Sequence, residues 1–380
     1  MKKDREDKIR VLQSMGSLGL GGTEMFVMNF FRHINKDKFQ VDFLVYDSRD
    51  DFREEVLDSG SKIYLCPYRK GRKIKRFYQN MKYVHQILSQ NQYDIIHCHS
   101  CSFLGILCGV LPAKRSKEIK IISHSHSAGS GETKGLKKGI QHFLKFLICN
   151  SVDLGFACSD LAGNSKYTRN FIEGNKFVIL HNAIDIERYR FNDKNRLEIR
   201  KEYNWLNHFV IGNVGRLSEE KNQKRLIYIF SYIYQHRPDA RLLIVGGGEL
   251  EKDLQNQVKI MGLDKAVIFT GSVRDVERYY SSMDVFVMTS HFEGLPFTAI
   301  EAQVNGLKCV FSDCITKMVD ITGEADFLSL TESDKSWAES ILRLSGERCH
   351  ETVLGRVCQD YDLEKECKKL EKYYEKLAAL

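Results

Sequence analysis

Proline is scarce, with 4 residues in 380, and no segment is of low complexity. Collagen-like, mucin-like and linker-dominated architectures are thereby excluded. Long apolar runs are missing as well. The longest nearly uncharged stretch, Phe103 to Val110, is closed by Pro112. It is far shorter than the roughly 20 residues a membrane span requires. The opening segment MKKDREDKIR has no apolar signal-peptide core, so a cytoplasmic protein is expected. The 11 cysteines are odd in number and scattered, which argues against a disulfide-stapled fold. What is present is ordinary globular material, 43% hydrophobic and 28% charged. The length suggests two or three domains.

The net charge of +7 is uneven. Residues 1–187 hold 29 Lys and Arg against 20 Asp and Glu, or +9; the remainder holds 28 against 30, or −2. A basic half suits an anionic ligand or surface, with a solubilising charge excess as the plain alternative. Much of the excess lies in Arg69–Lys82 and Lys134–Asn150. The second of these is lysine-rich on one side and Phe, Leu and Ile on the other. That pattern predicts a helix lying on a membrane surface, or one packed on a sheet with its lysines in water. Neither stretch carries a recognition helix or an aromatic platform, so nucleic-acid binding is not expected.

Short apolar runs alternate with helical patterns from end to end. The first half offers strands at Ile9–Gln13, Val41–Tyr46, Lys62–Leu65, Asp94–His99, Ile119–His124, Leu154–Ser159 and Val178–His181. Helical spacing falls between them, as at Glu24–His33, Lys73–Ser89 and Lys134–Asn150. Residues 185–208 are polar and read as a junction without a strand. Alternation then resumes at Phe209–Gly215, Arg241–Val245, Val267–Thr270, Asp284–Met288, Lys308–Ser312 and Phe327–Leu330. This predicts an α/β protein of two Rossmann-like domains with parallel sheets facing across a cleft. The expected divisions are 1–187, 188–361 and a final helix within 362–380, whose Leu363, Leu370, Tyr373, Tyr374 and Leu377 share a face.

In open parallel sheets, ligands bind beyond the carboxyl ends of the strands. Residues there are the informative ones. Gly21 and Gly22 stand at a strand-to-helix turn, where bare amides can approach an anion. Arg216 and Lys221 follow a strand at a spacing that can grip one diphosphate. Gly246 and Gly247 end the next strand. Glu293, Gly294, Leu295 and Pro296 lead into a helix bearing Glu301. Backbone amides in that loop can hold a phosphate, and a carboxylate at Glu301 can accept from a vicinal diol such as ribose. An Asp-x-Asp metal pair occurs only at Asp360 and Asp362, before the last helix, so no metal is expected.

His97, Cys98, His99 and Cys101 cluster at one strand end, with His124 and His126 at another. Redox or zinc chemistry is possible for such a set. Strand alternation, however, turns Cys98 away from His97 and His99. A lining of the cleft is expected, with a histidine donating to a sugar or phosphate oxygen; a satisfied structural histidine is the plain alternative for His97 and His99.

Taken together, EGLPFTAIE at 293–301, GRLSEEKN at 215–222, LLIVGGGEL at 242–250, VIFTG at 267–271, GGTE at 21–24 and DIIHCH at 94–99 resemble the retaining glycosyltransferases of family four. These have the GT-B fold, and the resemblance is to members that build capsules and exopolysaccharides. It implies an enzyme that moves a sugar from a nucleotide-diphosphate sugar, a UDP-sugar above all, to a lipid-linked saccharide at the inner face of the membrane. No cofactor or metal is implied. Arg216 and Lys221 would hold the diphosphate, Glu301 the ribose, and Glu293 the sugar or its loop. The glycines at 21, 22, 246, 247 and 294, with Leu295 and Pro296, would complete the donor site. His126 would touch the donor sugar and phosphate, with His124 as the alternative. Lys317-Met318 departs from an acidic position in relatives and leaves the sugar open. A nucleotide-sugar epimerase and a catalytically silent membrane partner are the competing readings.

Overall fold

A computed structural model of the chain describes residues 8–67, 72–100, 102–116, 118–126, 136–293, 295–344, 348 and 361–380. In the first half, parallel strands run β1 (Ile9–Met15), β2 (Phe39–Val45), β3 (Ile63–Leu65), β4 (Ile95–His99), β5 (Lys120–Ser125), β6 (Leu154–Ala157) and β7 (Phe177–Ile179). Their order in the sheet is β3-β2-β1-β4-β5-β6-β7. The second sheet contains β8 (Phe209–Val214), β9 (Ala240–Val245), β10 (Val267–Phe269), β11 (Val285–Met288), β12 (Lys308–Ser312) and β13 (Asp326–Leu328), ordered β10-β9-β8-β11-β12-β13. Each predicted strand is present, within two residues at either end. The local alternation sufficed because strands covered on both faces are nearly continuous apolar runs, as in the fully buried β8 and β11.

The chain divides into Met1–Ala183 with Leu363–Leu380, and Ile184–Asp362. The final helix, Leu363–Ala378, packs on the helix Gly22–His33 and on β1 and β4 of the first unit. It buries Leu363, Cys367, Leu370, Tyr374 and Leu377. Each such aliphatic or aromatic side chain contributes on the order of 1.5–3 kcal/mol when fully buried.

The polar stretch 185–208 is not a bare junction. It forms helices Ile186–Tyr189 and Asp193–Glu202 within the second unit, capped by the side chains of Asp185 and Asn192. Arg196 and Arg200 both reach Asp284 at 2.6 Å, and Arg200 is 5% exposed. A helix anchored by one buried and one half-buried arginine rather than by leucines carries little apolar signal. The two arginines, with Asp284, His208 and Arg237, also line a cavity of about 360 Å³. That cavity sits at the amino-terminal edge of the second sheet, the end away from the candidate site described next.

Candidate active site

The strands β8 and β11 are neighbours, so the loops at their carboxyl ends meet. Backbone bonds join them: the His291 amide donates to the Glu220 carbonyl at 2.8 Å. The Thr289 hydroxyl donates to the Asn222 carbonyl, also at 2.8 Å. Asn222 precedes the helix Gln223–His236 with φ +53°, a left-handed conformation that asparagine tolerates. Gln223 turns its amide back to the Arg216 carbonyl at 3.0 Å. This framework holds Lys221 against Glu293, and the two side chains form an ion pair. Ser290 donates to the same carboxylate at 3.0 Å. Lys221 is 21% exposed and Glu293 10%, so water screens this pair less than a surface pair.

Arg216 behaves differently. Its guanidinium meets Glu249 at 3.0 Å, with both side chains more than half exposed. A pair of this kind contributes about 0–1 kcal/mol and can open for a ligand. The two cations thus do not converge on one empty point. Each faces a carboxylate of the chain, and a diphosphate would have to displace Glu249 and share Lys221 with Glu293.

The glycines after β9 have a structural reason that the sequence does not reveal. Gly246 has φ +133°, and a Cβ there would lie 2.1 Å from the Gly215 carbonyl oxygen. At Gly248 a Cβ would lie 2.3 Å from the Leu217 carbonyl oxygen. Leu217 and Gly247 are joined by an N–H···O bond of 3.0 Å. Bare backbone is therefore needed first to pack the β8 and β9 loops together. At Gly247 the nearest atom to a Cβ is the Ser272 hydroxyl at 3.0 Å.

The helix Phe297–Val304 starts after Pro296, and both Leu295 and Pro296 are buried. Gly294 lies outside the described residues. Glu301, one turn into the helix, is 6% exposed. The Tyr280 hydroxyl donates to it at 2.7 Å, and Tyr189 makes a second bond. Burial pushes its carboxyl up to about 7, against the opposing pull of Tyr280, Tyr189 and Arg188. A carboxylate has about four acceptor positions. Two tyrosines leave room for a diol.

In the first unit, Gly21 precedes the helix Gly22–His33. A Cβ on Gly21 would stand 2.4 Å from Glu24 Oε2, whereas one on Gly22 would meet open space. Glu24 is held by the Ser17 hydroxyl at 2.7 Å. Its carboxylate already lies beside the helix start that the sequence offered to an anion.

The histidines are placed by strand pairing, which sets His99 opposite His124. His97, His99 and His124 are not exposed at a rim but fully buried, and burial holds all three rings neutral. His124 is enclosed by Phe26 and Phe156, and both its ring nitrogens are unpartnered. Of the four, only His126, just past β5, is half-buried rather than enclosed. Its pKa is held down to about 3, by burial first and then by the charge of Lys166.

Cys98 points to the other face, toward the helix Phe103–Ala113, where a Cβ on Gly109 would lie 2.7 Å from its sulfur. Burial raises its thiol pKa, which makes it a poor redox nucleophile. Cys101 lies outside the described residues, as does Asp360. His97, His99 and His124 are close enough to share an ion. The rings of His97 and His124 are stacked at 5.4 Å rather than converging, and the cluster includes no carboxylate to balance a cation.

Residues 20–188 match the model of Glycosyltransferase Family 4, and residues 195–355 match that of Glycosyl transferases group 1. The chain belongs to glycosyltransferase family four. It is 29% identical over 341 residues to the putative glycosyltransferase EpsF of Bacillus subtilis, covering 88% of this chain and 87% of that one. It is 24% identical over 368 residues to the Escherichia coli UDP-Gal:alpha-D-GlcNAc-diphosphoundecaprenol alpha-1,3-galactosyltransferase, covering 94% and 93%. Among solved structures, Anabaena HepE in complex with UDP and glucose superposes with a TM-score of 0.77 at 18% identity, over 98% of this chain and 100% of that one. The fold is GT-B and the protein is a glycosyltransferase.

The site also contains residues that no motif announced, Ser290 on Glu293 and Tyr189 and Tyr280 on Glu301; Glu249, on Arg216, lies within LLIVGGGEL but was given no role there. Ser290 alone had a local signal, lying three residues before Glu293.

Proposed function

We propose that the protein transfers a sugar from a nucleotide-diphosphate sugar, a UDP-sugar in the first instance, to a lipid-linked saccharide in capsule or exopolysaccharide synthesis. Anomeric configuration is retained and no metal ion takes part. The observation that carries this reading is Lys221, paired with Glu293, which Ser290 holds in turn, at the joined carboxyl ends of β8 and β11. The name of the E. coli relative supports the acceptor class, and HepE with UDP and glucose supports the donor.

In this reading Lys221 and Arg216 stabilise the nucleotide diphosphate as it leaves the anomeric carbon. The amides at the start of the helix Phe297–Val304 assist. The acceptor hydroxyl forms its bond to that carbon on the same face, and its proton passes to a departing phosphate oxygen. Glu301 holds the ribose. Glu293 orients Lys221, and His126 contacts the sugar. Two cations and a helix start can neutralise a diphosphate without an ion. Transfer, measured as release of UDP from a panel of UDP-sugars with an undecaprenyl-diphosphate saccharide, is therefore expected to persist in excess EDTA. Activity abolished by EDTA and restored by Mg²⁺ or Mn²⁺ would overturn the metal-free mechanism. Interconversion of UDP-sugars without acceptor would point to an epimerase instead.

Peripheral attachment to the inner face of the membrane belongs to the same proposal. Among the described residues, no helix is long and apolar enough to cross a membrane. The helix Leu136–Cys149 exposes Ile140, Phe143 and Phe146, each by more than half. Its neighbour Phe103–Ala113 exposes Leu104, and Lys73–Gln90 exposes Ile74 and Tyr78. Lys138 is exposed among them, whereas Lys145 is committed to the Asn164 carbonyl at 2.6 Å. Lys134 lies outside the described residues. Binding to anionic vesicles is expected to fall steeply with salt. It should also fall on replacing Ile140, Phe143 and Phe146 by serine. Equal binding of parent and triple variant, or indifference to lipid charge, would refute the docking face.

A further inference from the structure

A chain of hydrogen bonds runs through the buried side of the first sheet and ends on the last helix. His126 Nε2 lies 2.8 Å from His99 Nδ1. His99 Nε2 lies 2.7 Å from Gln13 Oε1. Gln13 Nε2 donates to the Tyr374 hydroxyl at 3.1 Å, and that hydroxyl is 2.7 Å from His97 Nδ1. Gln13, His97, His99 and Tyr374 are all buried.

The chemistry of each atom gives the chain a direction. An amide oxygen only accepts, so His99 Nε2 carries its proton. His99 is buried and neutral, so its Nδ1 is a bare acceptor. His126 Nε2 must then donate to it. In a neutral ring that leaves His126 Nδ1 unprotonated, and this nitrogen is one of the buried atoms without a partner. The positive charge of Lys166 opposes a second proton on the ring. At the far end the Tyr374 oxygen accepts from Gln13 Nε2, which leaves the phenol proton free to go to His97 Nδ1.

We propose that His99, Gln13 and Tyr374 are positioning residues that hold His126 in one tautomer, with the proton on Nε2 and Nδ1 offered as an acceptor to a hydroxyl of the donor sugar. This rests on the reading of His126 as a sugar contact. A ring held in this way accepts from a hydroxyl and cannot donate to a phosphate oxygen. His126 therefore reads and places the sugar, and neutralisation of the leaving group falls to Arg216 and Lys221. Tyr374 extends the same constraint to the C-terminal helix.

Nitrogen-15 NMR of the labelled full-length chain, without donor, reports the tautomer directly. His126, assigned by the loss of its signals in His126→Gln, is expected to be neutral with the proton on Nε2 at pH 7. A proton on Nδ1, which a reversed Gln13 amide would produce, or a charged ring overturns the proposal. Tyr374→Phe keeps the packed ring but removes the group that fixes the Gln13 amide, so His126 should become a mixture of tautomers. An unchanged tautomer in this variant overturns the link to the last helix.

Kinetics separate positioning from packing. His99→Asn keeps an acceptor oxygen near the Nδ1 position and should stay within about tenfold of the parent in kcat. His99→Gln fills more of the ring's volume but moves its polar atoms away from His126. It should lose on the order of 10²-fold, the scale of a misplaced reacting group. The reverse order means that His99 only fills space. If His126→Ala transfers sugar and binds donor like the parent although the tautomer is as expected, the sugar contact is what fails.

Discussion

Lys221→Ala is expected to lower turnover by about 10²–10³-fold, the scale seen when one preorganised charge-stabilising group is removed. The structure adds a complication. Lys221 is also the cation that balances Glu293, whose carboxylate is 10% exposed. Removing one partner of a desolvated pair strands the other, so the single variant should lose stability as well as rate. The double variant Lys221→Ala/Glu293→Gln separates the two effects. It should recover the stability lost by the single variant, read by thermal or urea unfolding, yet remain slow. If turnover returned together with stability, Lys221 would serve only to neutralise Glu293, and the assignment of this cation to the leaving diphosphate would fall.

Glu301 should impose a pH dependence on both folding and donor binding. In the folded protein its carboxyl keeps its proton to about pH 7, against an ordinary value of 4.5. Between those values the folded state binds more protons than the unfolded chain. The stability this group contributes is therefore full below about pH 4.5 and is lost as pH rises through about 7. The loss is on the order of 3 kcal/mol across that window. Glu301→Gln removes the slope, so unfolding measured from pH 4.5 to 8 should show the variant gaining on the parent until about pH 7 and keeping its lead above it.

Donor binding should run the other way. A ribose diol donates to the ionised carboxylate, so affinity for a nucleotide-diphosphate sugar should rise from pH 6 to 8 in the parent. It should stay flat in Glu301→Gln. At pH 8, Glu301→Ala should bind less tightly by about 1.5–3 kcal/mol, the worth of hydrogen bonds to a charged group. Equal affinities of parent and Glu301→Ala at pH 8 would remove Glu301 from the donor site.

The architecture was legible in local sequence. Strands such as Val285–Met288 and Phe209–Val214 are short apolar runs between amphipathic helices, and that signal is local. It also located the candidate site to within a loop. A parallel sheet places functional residues just after its strands, so Arg216, Lys221 and Glu293 could be picked out by position and chemistry alone.

What these residues are bonded to depends on the packing of distant segments. Lys221 meets Glu293 across 72 positions, and His97 meets Tyr374 across 277. Such distances are set by strand order and by the placement of the last helix, and no local pattern encodes them. For the same reason Gly246 looked like an opening for a ligand until the Gly215 carbonyl was found against it. The histidines looked alike because strand periodicity puts His97, His99, His124 and His126 on one face. Only the depth of each along its strand, and what lies over it, separates the three enclosed rings from His126. The helix Asp193–Glu202 leaves little local signal because its anchor is an arginine pair on Asp284. Burial of a charged group depends on a partner elsewhere in the fold, and that partner is invisible in the polar segment itself.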